Sequence, residues 1–221
     1  MFDLIALRRD LHAHPELAFA EVRTTTVIVE QLESVGLKPE VLPSGTGVVC
    51  DIGTDGPLVA LRADIDALPL PDEKDVPYRS TIDGACHGCG HDAHTAILLG
   101  AAARLAADPP PGRVRLIFQP AEETVPGGAP SVVAAGGLDG VEQIYALHCD
   151  PRLETGQVGV RVGNVPNYLL PPPFDVLAIN LSLIGHFRPM VTGSVFVSDI
   201  CYFVTLALLA LFLATRRLAE R

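Results

Sequence analysis

Nine consecutive residues, Cys86-His87-Gly88-Cys89-Gly90-His91-Asp92-Ala93-His94, hold five metal-capable side chains and a carboxylate; the whole chain has only 7 His and 5 Cys. Thiolate and imidazole bind borderline divalent ions such as Zn²⁺, and the two glycines let the backbone turn sharply enough for neighbouring donors to converge. So dense a run of donors favours a metal site over a solvent-facing polar loop. Cys86-x-x-Cys89 looks like half of a zinc ribbon, but the chain contains no second Cys-x-x-Cys.

Three other polar groups stand where short apolar runs end: Asp64 with Asp66, Glu122 with Glu123, and His148. Alone, a carboxylate pair is more often a helix start and a single histidine a core residue. Taken with the cluster they supply the parts of a two-metal hydrolase: ligands for each ion, a bridging group, and a carboxylate beside the water to take its proton. Cys89, His91, Glu123 and His148 are candidate ligands. Glu122, next to a ligand but itself free, is the candidate general acid/base, since an ion holds its coordinated carboxylate as the anion while the neighbour stays exchangeable.

The elements that must position these groups alternate in type. Leu4, Leu7 and Leu11 have helical spacing, predicting a helix over residues 2–13 stopped by Pro15; a second helix is predicted over 24–35, with a threonine cap and Gly36 as its stop. Short apolar or β-branched runs predict strands over 47–52, 58–63, 113–119, 143–147 and 157–162, and helices are expected over 94–107 and 129–135. This is an α/β pattern, in which ligands collect at the carboxyl ends of strands.

At 221 residues and 48% hydrophobic the chain suits one or two domains with a full core. Its net charge of −10 and lack of any basic tract exclude nucleic acid as a partner. Five irregularly spaced Cys and no secretory pattern at the amino end lead to the expectation of a cytoplasmic, reducing compartment, with cysteines as ligands or core residues.

Of the 16 Lys and Arg, 12 lie in residues 1–165, as do 23 of the 26 Asp and Glu, so a differently built segment follows. The expected divisions are a domain over 1–165, a Pro-rich linker over 166–192 and a hydrophobic helix with a basic end over 193–221. Within the last, residues 195–214 are interrupted only by Ser198, Asp199 and Thr205, about the length that ~30 Å of hydrocarbon requires. Membrane association through this helix is therefore expected, with a buried core helix as the alternative.

Four motifs carry a family resemblance: Leu11-His12-Ala13-His14-Pro15-Glu16-Leu17, Leu61-Arg62-Ala63-Asp64-Ile65-Asp66-Ala67-Leu68-Pro69, Gly88-Cys89-Gly90-His91-Asp92-Ala93-His94-Thr95-Ala96 and Phe118-Gln119-Pro120-Ala121-Glu122-Glu123. Their order and spacing resemble the M20 metallopeptidase family, above all its amidohydrolase branch of hippurate hydrolases, N-acyl-amino-acid amidohydrolases and auxin-conjugate hydrolases. The resemblance implies a three-layer α/β catalytic domain with a mixed sheet between helices, and a site for two divalent ions (Mn, Zn, Co or Ni). It also implies cleavage of the amide of an N-acyl amino acid or small peptide. It assigns Cys89 (bridging), His91, Glu123 and His148 to the metals. Catalysis falls to Glu122, as acid and base, and to Asp66, which with Asp64 forms a strand-end pair that orients ligands.

The resemblance also implies differences. Family chains are nearly twice as long, with a smaller dimerisation domain inserted before the catalytic domain resumes and supplies a last His ligand. Here the resemblance stops near Asn164, so the expectation is an incomplete catalytic domain without the family's homodimer interface, and impaired turnover. Cys86 stands where Met is usual and Gly88 where Ala is usual. The tail, through Gly185-His186-Phe187-Arg188, Gly193 to Asp199 and Arg216-Arg217-Leu218, more weakly resembles the last helix of ABC-2 type transporter permeases. Three readings follow: an amidohydrolase, a non-catalytic membrane-anchored metal-binding remnant, or a permease fragment with a passenger domain.

Overall fold

The computed structural model describes residues 3–150 and 153–158. It divides into two compact units, Met1–Glu154 and Thr155–Arg221, and every element below belongs to the first. The expected linker over 166–192 and hydrophobic helix over 193–221 lie outside the described residues. Among the described residues no helix is long and apolar enough to cross a membrane.

Helix α1 spans Leu4–Ala13 and starts two residues later than its periodicity predicts, because the Asp3 carboxylate accepts the N–H groups of Ile5 and Ala6 and caps the first turn. Helix α2 spans Val22–Ser34 and starts two residues before the prediction. No threonine caps it: Glu16, from the preceding loop, accepts the N–H groups of Arg23 (2.9 Å) and Thr24 (2.7 Å). A cap delivered from several residues upstream leaves no local signature.

The strands are β1 (Glu40–Val41), β2 (Val48–Ile52), β3 (Leu58–Asp64), β4 (Arg113–Gln119) and β5 (Val141–Ala146). The two-residue β1 has no periodicity to detect. Of the strand predicted over 157–162, residues 157 and 158 are not in strand conformation and the rest fall outside the described residues. Helix α3 spans His91–Ala107, three residues longer at its start than predicted: Gly90, at φ +87°, turns the chain so that His91, Asp92 and His94 occupy the first turn. Helix α4 spans Ala129–Ala134.

The five strands form one mixed sheet in the order β1-β2-β4-β3-β5. β1 and β2 pair antiparallel, as do β2 and β4, whereas β3 runs parallel to both β4 and β5. Three parallel neighbours end on the same edge. The register sets Asp64 opposite Gln119 and Arg62 opposite Ala146, so the residues that follow β3, β4 and β5 emerge side by side.

Alternation along the strands builds two cores. Val48, Cys50, Ile52, Ala63, Leu116 and Phe118 pack with Ile28 and Leu32 of α2 and Leu98, Leu99 and Ala102 of α3. On the opposite face Ala60 and Ile117 meet Leu42 and Val132, the latter from α4. The layers are thus helices, sheet, helix. Five of the six β5 residues are exposed, including Ile144 and Tyr145.

Candidate metal centre

The ends of β3, β4 and β5 and the start of α3 meet around His91, which is 1% exposed. Its Nδ1 lies 2.9 Å from the Asp66 carbonyl oxygen and 3.2 Å from Asp66 Oδ1. A carbonyl can only accept, so Nδ1 carries the proton and donates, and Nε2 is directed into the cluster. There Nε2 stands 3.7 Å from Glu123 Oε1 and 3.6 Å from Asp64 Oδ2. Both His91 Nε2 and Glu123 Oε1 are buried with no hydrogen-bond partner among the described residues. Polar atoms left this way are costly unless something else meets them.

His148, two residues beyond β5, is oriented the same way. Its Nδ1 donates to the Cys149 carbonyl (2.8 Å), leaving Nε2 3.5 Å from Cys89 Sγ. Donor atoms from Cys89, His91 and His148 all lie within 4.8 Å of one another, and the same holds for His91, Glu122 and Glu123. The four ligand candidates and the candidate acid/base are therefore brought together, with His91 common to these two groups and to a third, Asp64, His91 and His94. Glu122 is exposed, whereas Glu123 is held by its N–H donating to Asp66 Oδ2 at 3.0 Å.

Asp66 thus fixes both a histidine ring and the glutamate loop. Asp64 has a different task. It accepts from His94 Nδ1 at 2.6 Å and from Arg62 Nη1 at 2.6 Å, and Arg62 Nε donates in turn to the Gln119 side chain. His94 Nε2 accepts the Cys149 N–H at 2.8 Å. With both ring nitrogens engaged, His94 is not free to bind an ion although it is as buried as His91; it ties the end of β3 to the residue that follows His148. In sequence His94 stands out only as one of the metal-capable side chains. An i, i+3 offset from His91 on a helix start was the available sign that the two face a common region.

Electrostatics match the geometry. Burial by itself would lower the His91 pKa, but Asp66, Asp64 and Glu123 outweigh it and raise it, so this pocket favours a positive charge. Burial would raise Asp64, yet the His94 hydrogen bond and the charges of His91 and Arg62 hold it at about 2. Burial, and behind it Glu123, push the Cys89 thiol up to about 12. A dication beside that sulfur reverses the balance, because a coordinated thiol is deprotonated outright. A thiolate, two imidazoles and a carboxylate suit borderline divalent metals, and the unpartnered Nε2 and Oε1 are the atoms such an ion would satisfy.

The profile of peptidase family M20/M25/M40 matches residues 60–211, a stretch that includes every residue of this site. The chain belongs to this family. As an M20 protein it is 52% identical over 193 residues to a Rhodococcus jostii (strain RHA1) protein named as a glutamate–cysteine ligase 2-3, covering 86% of this chain but 24% of that one. It is 44% identical over 188 residues to an N-acyl-L-amino acid amidohydrolase of Geobacillus stearothermophilus, covering 83% of this chain and 50% of the relative. Among solved structures, a dinuclear metal-binding M20 peptidase of Bacillus subtilis superposes with a TM-score of 0.69 at 47% identity, over 72% of this chain and 45% of that one. The M20 chain described here spans half or less of each of these relatives. The match to the family runs to residue 211, past Asn164, where the resemblance was expected to stop.

Proposed function

We propose that this chain carries metal-binding and catalytic residues of an amidohydrolase that cleaves the amide of N-acyl amino acids, with Cys89, His91, Glu123 and His148 as ligands and Glu122 as general acid/base. The observation that supports it most is the pair of buried, unpartnered atoms, His91 Nε2 and Glu123 Oε1, 3.7 Å apart at the meeting point of three strand ends. The name of the Geobacillus relative supports the substrate class.

When bound, divalent ions supply Lewis acidity toward the scissile carbonyl and acidify a water beside it. The rest is the work of side chains. Glu122, within reach of the His91 and Glu123 donor atoms, takes the proton from the attacking water and passes it to the amine nitrogen as the C–N bond breaks. The products are a carboxylate and a free amino acid. Asp66 acts through its neighbours, holding the His91 ring and the Glu123 backbone in place. Asp64, His94 and Arg62 brace the loops from behind.

The test couples metal analysis with a substrate screen on the full chain. The expected result is uptake of Zn, Mn, Co or Ni and hydrolysis of N-acetyl or N-benzoyl amino acids. Glu122→Gln should cut turnover by roughly 10²- to 10⁴-fold with metal content unchanged. A chain that takes up none of these metals, or a Glu122→Gln variant of full activity, would refute the assignment.

A further inference from the structure

The residue before α2 serves the helix with its backbone, whose carbonyl accepts the Thr25 N–H at 3.0 Å, but not with its side chain. Glu21 is 0% exposed at the helix N-cap position, yet its side chain makes no cap; Glu16 takes the first-turn N–H groups instead. A buried carboxyl is expensive unless a defined partner offsets the loss of water. The partner here lies 100 positions away: Glu21 Oε1 accepts the N–H of Ala121 at 2.8 Å.

Ala121 is itself unusual. With Phe19 it is one of two non-glycine residues at positive φ among the described residues, at 51° and 64° respectively. The Glu21 carboxyl accepts from one of them, Ala121, and the Ala121 carbonyl accepts from Gly128 N–H at 2.9 Å. Left-handed backbone at an alanine persists only where surrounding contacts over-determine it. Its consequence is directional. β4 ends at Gln119, and the left-handed residue two places on turns the chain so that Glu122 follows on the exposed side while the Glu123 N–H reaches Asp66 and its carboxylate faces His91.

We infer that Glu21 is a positioning residue for the Glu122–Glu123 pair, holding Ala121 in the conformation that delivers one carboxylate to the metal and the other to the substrate. This role rests on the metal-site reading above. It requires a hydrogen-bond acceptor at a fixed reach rather than a charge, which agrees with burial as the main influence raising the Glu21 pKa.

Two variants of the full chain separate reach from charge. Glu21→Gln keeps the acceptor and the volume, while Glu21→Asp keeps the charge and withdraws the acceptor by one methylene. Cobalt(II) titration followed by the thiolate-to-cobalt absorption band reads the site without needing turnover. Glu21→Asp should bind cobalt roughly 10- to 100-fold more weakly, the range typical of residues that orient ligands, and Glu21→Gln should match wild type. On an N-acetyl amino acid, Glu21→Asp should lower kcat with KM within about twofold of wild type.

Ala121→Gly in the Glu21→Asp background should restore part of the lost affinity, because glycine adopts positive φ without steric cost. It also supplies the measurement if Glu21→Asp alone does not fold. Glu21→Asp behaving as wild type, Glu21→Gln failing as badly as Glu21→Asp, or no recovery with Ala121→Gly would each overturn the role. Wild type that binds cobalt but never turns over refutes the amidohydrolase reading while leaving the cobalt comparison decisive for Glu21. Wild type that binds no cobalt refutes the metal reading and this role together.

Discussion

The first turn of α3 feeds two buried polar clusters, each built on histidine and carboxylates and opposite in character. On one side His91 joins Asp64, Asp66, Glu123, Cys89 and His148. On the other Asp92 accepts from Arg8 Nε at 2.8 Å and from His12 Nδ1 at 2.6 Å, while His12 Nε2 lies 3.2 Å from Asp72. Asp72 is closed off in turn by Lys74 Nζ (2.9 Å) and the Ser80 N–H (3.0 Å). In this second cluster histidine and carboxylates satisfy one another; in the first, a nitrogen and an oxygen are left over. A buried His with Asp is left available to a ligand only where its second nitrogen is not spoken for, as in His91 and not in His12. His87, buried near both clusters with neither nitrogen partnered among the described residues, belongs to none of the converging donor groups, and burial drives it down to about 4, toward the neutral form.

Removing the residue shared by the donor groups tests the contrast most severely. His91→Ala should lower zinc or cobalt affinity by well over the ~10- to 100-fold typical of ligand-orienting residues, as read by calorimetric titration. Asp92→Ala should do the reverse. It strips His12 and Arg8 of their partner and should cost about 3 to 5 kcal/mol of unfolding free energy in denaturant melts, the scale of a broken buried pair, with metal affinity changed far less. A metal-binding loss in Asp92→Ala as large as that in His91→Ala would dissolve the distinction between the clusters.

Much of this framework was legible because it depends on local pattern. β4 falls on the predicted residues 113–119, and β2, β3 and β5 fall within a residue or two of theirs, since alternation and bounding Gly, Pro and Asp are short-range signals. The nine-residue donor stretch was equally plain, yet its spacing did not say which donors converge. His91 is a candidate ligand in sequence and His94 only a metal-capable side chain; the bonds to Asp64 and to the Cys149 N–H, 30 and 55 residues away, show why His94 is occupied. The partners of Glu16, Glu21 and His12 were illegible for the same reason, although His12 and Glu16 belong to the first motif. Their partners are chosen by topology, across 7, 100 and 80 positions, and no local preference marks them.

A milder perturbation sits on the boundary between ligand and brace. Asp66→Ala removes the carboxylate from His91 Nδ1 and from the Glu123 N–H but leaves the Asp66 backbone carbonyl, which makes the shorter contact to the ring. Metal affinity should fall roughly tenfold, the low end for an orienting residue, with the ring still held in its tautomer. A drop matching His91→Ala would mean that Asp66 itself coordinates.

The smallest effect concerns the closed cluster and needs only acid. Burial would raise the Asp72 pKa, but hydrogen bonds from the Ser80 N–H and from Lys74 outweigh it and hold the group below its usual 3.8. Below that value the unfolded chain takes up the proton first, so the native state loses this contribution as pH falls from about 4 through the depressed folded pKa, and retains it in full above. Asp72→Asn should therefore be less stable than wild type near neutrality and converge on it in acid. Asp64, held at about 2 on the other side of α3, gives both proteins a shared acid slope, so the informative quantity is the difference between their melts at each pH. A difference that stayed constant from pH 7 down to pH 2 would assign Asp72 a packing role in place of the charged one that His12, Lys74 and Ser80 describe.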